Sequence, residues 1–187
     1  FEEATILTLD GVGEWTTTTM GWGRGSEMQI SREIRFPHSL GLFYSAITAY
    51  LGFEVNDAEW KVMGLAPYGN PTQVEPCREL IRTQPDGSFA LNMRYFAHHY
   101  SSRRMFNHRF EKLFGQPARL PESEIGEFHQ DIARSGQIVF EEVAVNDAKE
   151  ADAGADEDFG EKGTEAAATD ESDAALGEPL LALGAKG

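Results

Sequence analysis

The chain changes its hydrophobic period once, sharply, near Pro37, and that change limits the folds open to it. Before that point apolar residues fall at alternate positions, Met28 and Ile30, then Ile34 and Phe36. Such alternation predicts a strand over Met28 to Phe36. After it, Leu40, Phe43, Tyr44, Ile47, Tyr50 and Leu51 recur at three- and four-residue steps. That is the spacing of an amphipathic helix, with Pro37 just before it and Gly52 placed to close it. A chain that passes from one period to the other is of the α/β type.

Two further strands are predicted upstream. Residues 4–9, ATILTL, are β-branched and apolar. Glu14 to Gly23 carries four consecutive threonines, which suit a pleated, half-buried surface. Asp10-Gly11-Val12-Gly13 reads as a tight turn between them, and Gly23-Arg24-Gly25 as the next turn. Together the three strands make an antiparallel meander followed by helices. Asn56-Asp57-Ala58-Glu59 resembles an N-cap with a reciprocating glutamate, opening a short helix through Trp60 and Met63 that ends before Pro67. Residues 72–83 read as another helix, Gln84-Pro85-Asp86-Gly87 as a turn, and Phe89 to Tyr100 as strand-like. Residues 101–120 give no clear assignment. Pro121 is expected to open a helix with Ile125, Phe128, Ile132, Val139 and Val143 near one face.

The composition then divides the chain into residues 1–145, a folded domain, and residues 146–187, an acidic low-complexity tail. Of the formal charge of −15, the stretch from Ala144 to Gly187 carries 12 acidic and 3 basic residues. It holds one aromatic residue, Phe159, and too little apolar surface to offset the entropy of ordering, so disorder is expected. Leu180, Leu181 and Leu183 could form a short helix or docking segment. A chain this acidic has no general attraction for nucleic acid or anionic membranes. No apolar run approaches the length of a membrane span, and no basic, apolar leader is seen. Cys77 is the single cysteine, which excludes an internal disulfide and a cysteine-based zinc cluster. A cytoplasmic location is the default expectation. The chain starts at Phe1 inside a predicted strand, as a fragment of a longer protein would.

Two segments carry candidate chemistry. In Asp10-Gly11-Val12-Gly13-Glu14 the glycines let the backbone approach a ligand closely, and successive N–H groups can cradle phosphate oxygens. A carboxylate at the strand end can hold a divalent cation. Taken alone, the segment is better explained as an ordinary Asp-Gly turn, because such turns are common. The second segment joins Arg35-Phe36-Pro37-His38-Ser39-Leu40-Gly41 to Trp60-Lys61-Val62-Met63-Gly64-Leu65-Ala66-Pro67-Tyr68-Gly69. A helix starting near Ser39 could receive an anion, and Lys61 could place a charge on a phosphate. The plain alternative is a capping serine, a solvated lysine and glycines that end a helix. His98 and His99 are adjacent, so on a strand they point to opposite faces and do not reach one ion. No nucleophile elbow, phosphate-binding loop or dinucleotide fingerprint is present.

DGVGEWTTTT, RFPHSLGLFYSAITAYLGF and EWKVMGLAPYGNP, in this order and at this spacing, resemble the N-terminal domain of NodU/CmcH-type O-carbamoyltransferases. The match lies mainly in residues 4–71, and EIGEFHQDIARSGQIVFEEV, 124–143, is similar to a later helix of that domain. The resemblance implies a partial ASKHA domain, the actin, sugar-kinase and heat-shock-chaperone ATPase fold, which is ribonuclease H-like. The family's reaction would use ATP and carbamoyl phosphate to make carbamoyl-adenylate in a YrdC-like domain missing from this chain. The carbamoyl group would then pass to a hydroxyl of a small-molecule acceptor. Asp10 would be a metal ligand, for iron or magnesium, and Gly11, Val12, Gly13 and Glu14 would line the nucleotide site. Ser39, Gly41, Lys61 and Gly64 would border the same cleft.

The family's paired histidines should lie upstream of Asp10, and its later glycine-rich segment, with a second metal-binding aspartate, should follow the 124–143 helix. The expectation is a fragment that retains one metal ligand and is inactive by itself. The competing expectation is a non-catalytic remnant, a binding or interaction module of the same fold with an acidic tail. A sugar kinase of the same superfamily is disfavoured by the PHSLG and KVMGLAPYG words.

Overall fold

The computed structural model describes residues 2–146. The tail over 147–187, with its expected disorder and the leucines near its end, lies outside the described residues. The order is β1 (Glu3–Leu9), β2 (Thr16–Arg24), β3 (Glu27–Arg35), α1 (Leu40–Tyr50) and α2 (Glu59–Leu65), with a 3₁₀ turn at Ala66–Tyr68. Then come α3 (Val74–Glu79), β4 (Ile81–Thr83), β5 (Phe89–Leu91), α4 (His108–Phe114) and a last helix, α5, over 127–146. The first three strands form an antiparallel sheet in the order β1-β2-β3, the expected meander, and β4 and β5 form a separate hairpin. No helix among the described residues is long and apolar enough to cross a membrane.

The sheet departs from simple alternation in a way that matters. Met20 pairs with Arg32 and Gly21 with Ile30, so Ser31 is an extra residue on β3. Such a bulge swaps the faces of the residues on either side of it. Ile34 is therefore buried at 8% exposure, whereas Met28 and Ile30 are exposed at 69% and 51%. A second irregularity leaves Thr17 unpaired on β2. Its hydroxyl donates toward the carbonyls of Ile34 (3.1 Å) and His38 (2.5 Å), tying the sheet to the chain entering α1.

The core forms where α1 lies against α5 and the aromatic residues of 96–114. Leu40, Phe43, Ile47, Tyr50 and Leu51 of the predicted helical stripe are fully buried, and Tyr44 is buried at 7% exposure. Tyr50 meets Phe106, Phe110 and Phe114 at ring-centroid distances of 5.2–5.8 Å. Its hydroxyl donates to the Gln116 carbonyl at 2.8 Å, so the ring is buried without leaving its polar end unpaired. Gly52 closes α1 at φ +71°, with the Gly52 and Phe53 N–H groups donating to Ala49 and Thr48 carbonyls. This is the two-bond C-terminal cap that glycine favours. Arg119, 8% exposed, lays its guanidinium 4.9 Å from the Phe53 ring centroid and donates through Nε to the Leu51 carbonyl at 2.6 Å. The cation thereby covers the helix end, with no acidic partner among the described residues.

Several expected boundaries move. The helix predicted over 72–83 stops at Glu79, and Ile81–Thr83 is a strand, because its pairing with Phe89–Leu91 overrides helical spacing. The strand-like stretch 89–100 is a strand only to Leu91, followed by an isolated bridge of Phe96 with Phe106. Pro121 lies in a turn and does not open a helix; α5 begins at 127, with His129 Nδ1 accepting the Gly126 N–H at 3.0 Å. The capping box at Asn56 forms by half: Glu59 Oε1 accepts the Asn56 N–H at 2.9 Å, but the N-cap position is Ala58, which has no side-chain bond to give.

Candidate functional site

The loop over residues 10–15 is anchored at its base and rests on the start of α1. The Asp10 N–H donates to the Thr17 carbonyl at 2.9 Å, and Asp10 Oδ1 accepts the Gly11 N–H at 2.6 Å. The Ser39 hydroxyl donates to the Asp10 carbonyl at 2.8 Å while accepting the Leu42 N–H at 3.0 Å. One side chain thus caps α1 and binds the loop to it. Gly41 sits directly beneath. A Cβ there would lie 2.7 Å from the Asp10 carbonyl oxygen and 2.9 Å from Gly11 N. Only glycine lets the helix and the acidic turn approach this closely.

Above this contact lies a cavity of about 460 Å³, lined at one end by Gly11 and Gly41. Tyr44 and Ser45 continue the wall one turn along α1, Glu59 and Met63 come from α2, Gln137 and Phe140 from α5, and Asn56 closes the far end. A Cβ at Gly11 would meet nothing within 4 Å, so this residue faces open space. The polar groups are held in place. Glu59 Oε1 accepts from the Ser45 hydroxyl (3.0 Å) and the Asn56 N–H. The Tyr44 hydroxyl donates to Gln137 Oε1 at 2.7 Å. Burial, together with the Glu141 and Glu59 carboxylates, holds the Tyr44 hydroxyl well above its ordinary pKa, so it stays a donor. Apolar walls with a few fixed polar groups suit a small organic ligand.

The sequence-predicted residues divide. Asp10, Gly11, Ser39 and Gly41 are brought together, and Gly11 and Gly41 line the cavity. Val12, Gly13 and Glu14 are exposed on the loop above it, with Gly13 at φ +55°. Lys61 and Gly64 lie on α2 but outside this lining. Lys61 Nζ stands over the Phe53 and Trp60 rings at 5.8 and 5.6 Å, and Gly64 is exposed. In α2 it is Glu59 and Met63 that reach the cavity. Sequence reasoning also missed Tyr44, Ser45, Asn56, Gln137 and Phe140 as lining residues. Tyr44 and Ser45 stand three and four residues after Gly41, the positions that share its helix face, and that spacing was the available signal.

The fit to a metal is partial. Asp10 offers an exposed carboxylate beside the cavity, but no three His, Cys, Asp or Glu side chains gather anywhere among the described residues. His98 does not pair with His99 for this purpose; its Nε2 meets the Pro37 carbonyl at 3.0 Å. Asp10 is one ligand and does not form a closed site by itself.

The sequence profile described as Carbamoyltransferase N-terminus matches residues 1–159. A Synechocystis protein known as sll1178 is 49% identical over 146 residues, covering 78% of this chain and 24% of that protein. Nodulation protein NolNO of Sinorhizobium fredii is 42% identical over 81 residues, and nodulation protein NolO of Bradyrhizobium diazoefficiens 44% over 73. These matches cover 43% and 38% of this chain, and 11% and 13% of the nodulation proteins. The chain therefore spans at most about a quarter of the length of these relatives. With the profile running across the Asp10 turn, α1 and α5 alike, the chain belongs to the carbamoyltransferase N-terminal family.

Proposed function

We propose that the cavity between the 10–15 loop and α1 seats the nucleotide part of carbamoyl-adenylate while its carbamoyl group passes to the hydroxyl of a small-molecule acceptor. The observation that carries this reading is the seating of the Asp10-Gly11 turn on Gly41, which leaves Gly11 facing a cavity of drug-like size. In the transfer, the acceptor oxygen bonds to the carbamoyl carbon, the carbamoyl–phosphate anhydride bond breaks, and AMP leaves with the bonding pair. The hydroxyl proton goes to a base. The Gly11 N–H is held by Asp10 Oδ1 and that of Trp15 by the Val12 carbonyl, so the donors the loop offers to phosphate oxygens are the N–H groups of Val12, Gly13 and Glu14 at the cavity's edge. Met63, Phe140 and Tyr44 offer apolar surface to a base ring, while Glu59 and Asn56 offer hydrogen bonds to sugar hydroxyls. Ser39 is a positioning residue, acting through Asp10.

Among the described residues, no lysine or arginine lines this cavity. A divalent ion, iron or magnesium, would supply the charge that offsets a phosphate, with Asp10 as one of its ligands. The remaining ligands would come from outside the described residues, and ATP and carbamoyl phosphate would be consumed in a separate YrdC-like domain of a longer protein. The meander followed by helices supports the ASKHA reading of the fold, and a reaction of this kind belongs in the cytoplasm. On this account the isolated chain binds nucleotide but does not complete the transfer.

The test is calorimetric titration of AMP into the chain and into Gly11→Val. A Cβ at this position meets nothing within 4 Å, and valine adds bulk beside the cavity that Gly11 lines. AMP binding that is lost in the variant, at unchanged thermal stability, supports the reading. Equal binding in both proteins, or none in either, contradicts it.

A further inference from the structure

A larger cavity, about 620 Å³, opens at the other end of α1. Its cationic groups are Arg103 and Arg104, set with Asn56, Asn107 and His108 among the apolar Ala49, Val55, Met105 and Phe106. Neither the Arg103 nor the Arg104 guanidinium takes part in the ion pairs found among the described residues, and neither donates a hydrogen bond there. Both are exposed. Glu111 is the single carboxylate in the lining, and its Oε1 is turned to the Ala118 N–H at 3.1 Å. Residues 94–112 hold five Lys or Arg and one acidic residue, in a chain of net charge −15. Two adjacent cations with no ion-pair partner among the described residues repel one another, and an anion bound between them relieves that repulsion.

The two cavities are neighbours. Asn56 lines both, held at φ +66° by the bond from its N–H to Glu59. Along α1, Gly41 and Ser45 face the first cavity and Ala49 the second. These residues are four apart, so they form one stripe of the helix, which rises about 12 Å from the first to the last.

We infer that the second cavity is an anion subsite for the acceptor: the molecule that receives the group carries a phosphate or carboxylate, bound by Arg103 and Arg104. Its reacting hydroxyl lies about 12 Å away, toward Gly41. The word acceptor rests on the carbamoyl-transfer reading; the binding of an anion by the two arginines does not. Arginine offers paired donors in a planar fork, which suits both phosphate and carboxylate oxygens.

The experiment titrates the chain with trehalose 6-phosphate, with lactobionate and with uncharged trehalose, each with and without saturating AMP. The variant is Arg103→Ser/Arg104→Ser, whose exposed side chains carry no contact that folding depends on. The expected result is binding of one or both anionic sugars, none of trehalose, and a loss of about tenfold in the double variant at unchanged melting temperature. Phosphate-only binding or carboxylate-only binding identifies the group the acceptor carries. Anion binding that persists under AMP, with AMP bound at its own cavity, supports the full inference. Anion binding without any AMP binding leaves the subsite standing and removes the carbamoyl-transfer reading. Affinity unchanged in the double variant, displacement by AMP, or no anion binding up to about 10 mM overturns the inference.

Discussion

Alanine at position 41 and alanine at position 64 are the same chemical change on two short helices, and the structure predicts opposite effects. At Gly41 the new methyl group would lie 2.7 Å from the Asp10 carbonyl oxygen and 2.9 Å from Gly11 N. Both are backbone atoms, so no side chain can turn aside. The loop must lift by about 0.7 Å to restore ordinary contact. Overpacking of this kind costs about 1–3 kcal/mol. Lifting the loop also stretches the Ser39–Asp10 hydrogen bond, 2.8 Å in the native protein, which contributes about 1 kcal/mol. Alanine's better helix propensity returns at most about 1 kcal/mol. The net loss is about 1–3 kcal/mol. At Gly64 nothing lies within 4 Å of the added carbon, so propensity alone acts and stability rises by up to about 1 kcal/mol. Urea unfolding followed by far-ultraviolet circular dichroism reads both. The Gly41→Ala midpoint should fall by about 1 M and the Gly64→Ala midpoint should rise slightly. A Gly41→Ala protein as stable as the parent would show that the acidic turn does not sit on α1, and the argument for the cavity would fail with it.

Other perturbations follow from the same contacts. Ser39→Ala removes both the cap of α1 and the donor to Asp10, and should cost about 1–2 kcal/mol in the same unfolding assay; Ser39→Asp, which keeps the cap but not the donated bond, should recover only part of it. Phe110→Ala opens the aromatic cluster around Tyr50, where Phe110 is fully buried, and should cost about 3–5 kcal/mol; a loss below 1 kcal/mol would contradict the packing described. His38, His98 and His129 are all held below their ordinary pKa, in each case mainly by burial. The unfolded chain therefore takes up protons that the folded protein refuses, so their contribution is fully present above about pH 6.5 and is lost as pH falls toward the folded values. The urea midpoint should drop between about pH 7 and pH 5, and a flat or rising midpoint over that range would contradict the partly buried, neutral state of these rings.

The strongest periodic signals in the sequence translated directly into structure. The helix over Leu40–Tyr50 was legible because six apolar residues fall on one stripe and its ends carry recognisable caps, Ser39 before it and Gly52 after it. The meander was legible because threonines and alternating apolar residues fill strands separated by glycine turns. What escaped the sequence was set by contacts between distant segments. The bulge at Ser31 depends on register with β2, and no local feature of β3 announces it. Ile81–Thr83 keeps helical spacing yet pairs with Phe89–Leu91. The short helix α4 has Asn107 as N-cap and Gly115 as C-cap, signals that were present, but seven residues give too little periodicity to read. Of the residues that the motif words single out, Asp10, Gly11, Ser39 and Gly41 lie together in the structure. Which face of α2 turns inward depends on tertiary packing, so Lys61 and Gly64 were named where Glu59 and Met63 line the cavity.

Backbone amide shifts during a titration with AMP test most directly whether the acidic turn and α1 share a nucleotide cleft. The account predicts saturable changes at Gly11, Gly41, Ser45 and Glu59, absent from the Gly11→Val protein. Changes confined to the Arg103–Glu111 region, or no saturable change at any residue, would contradict it.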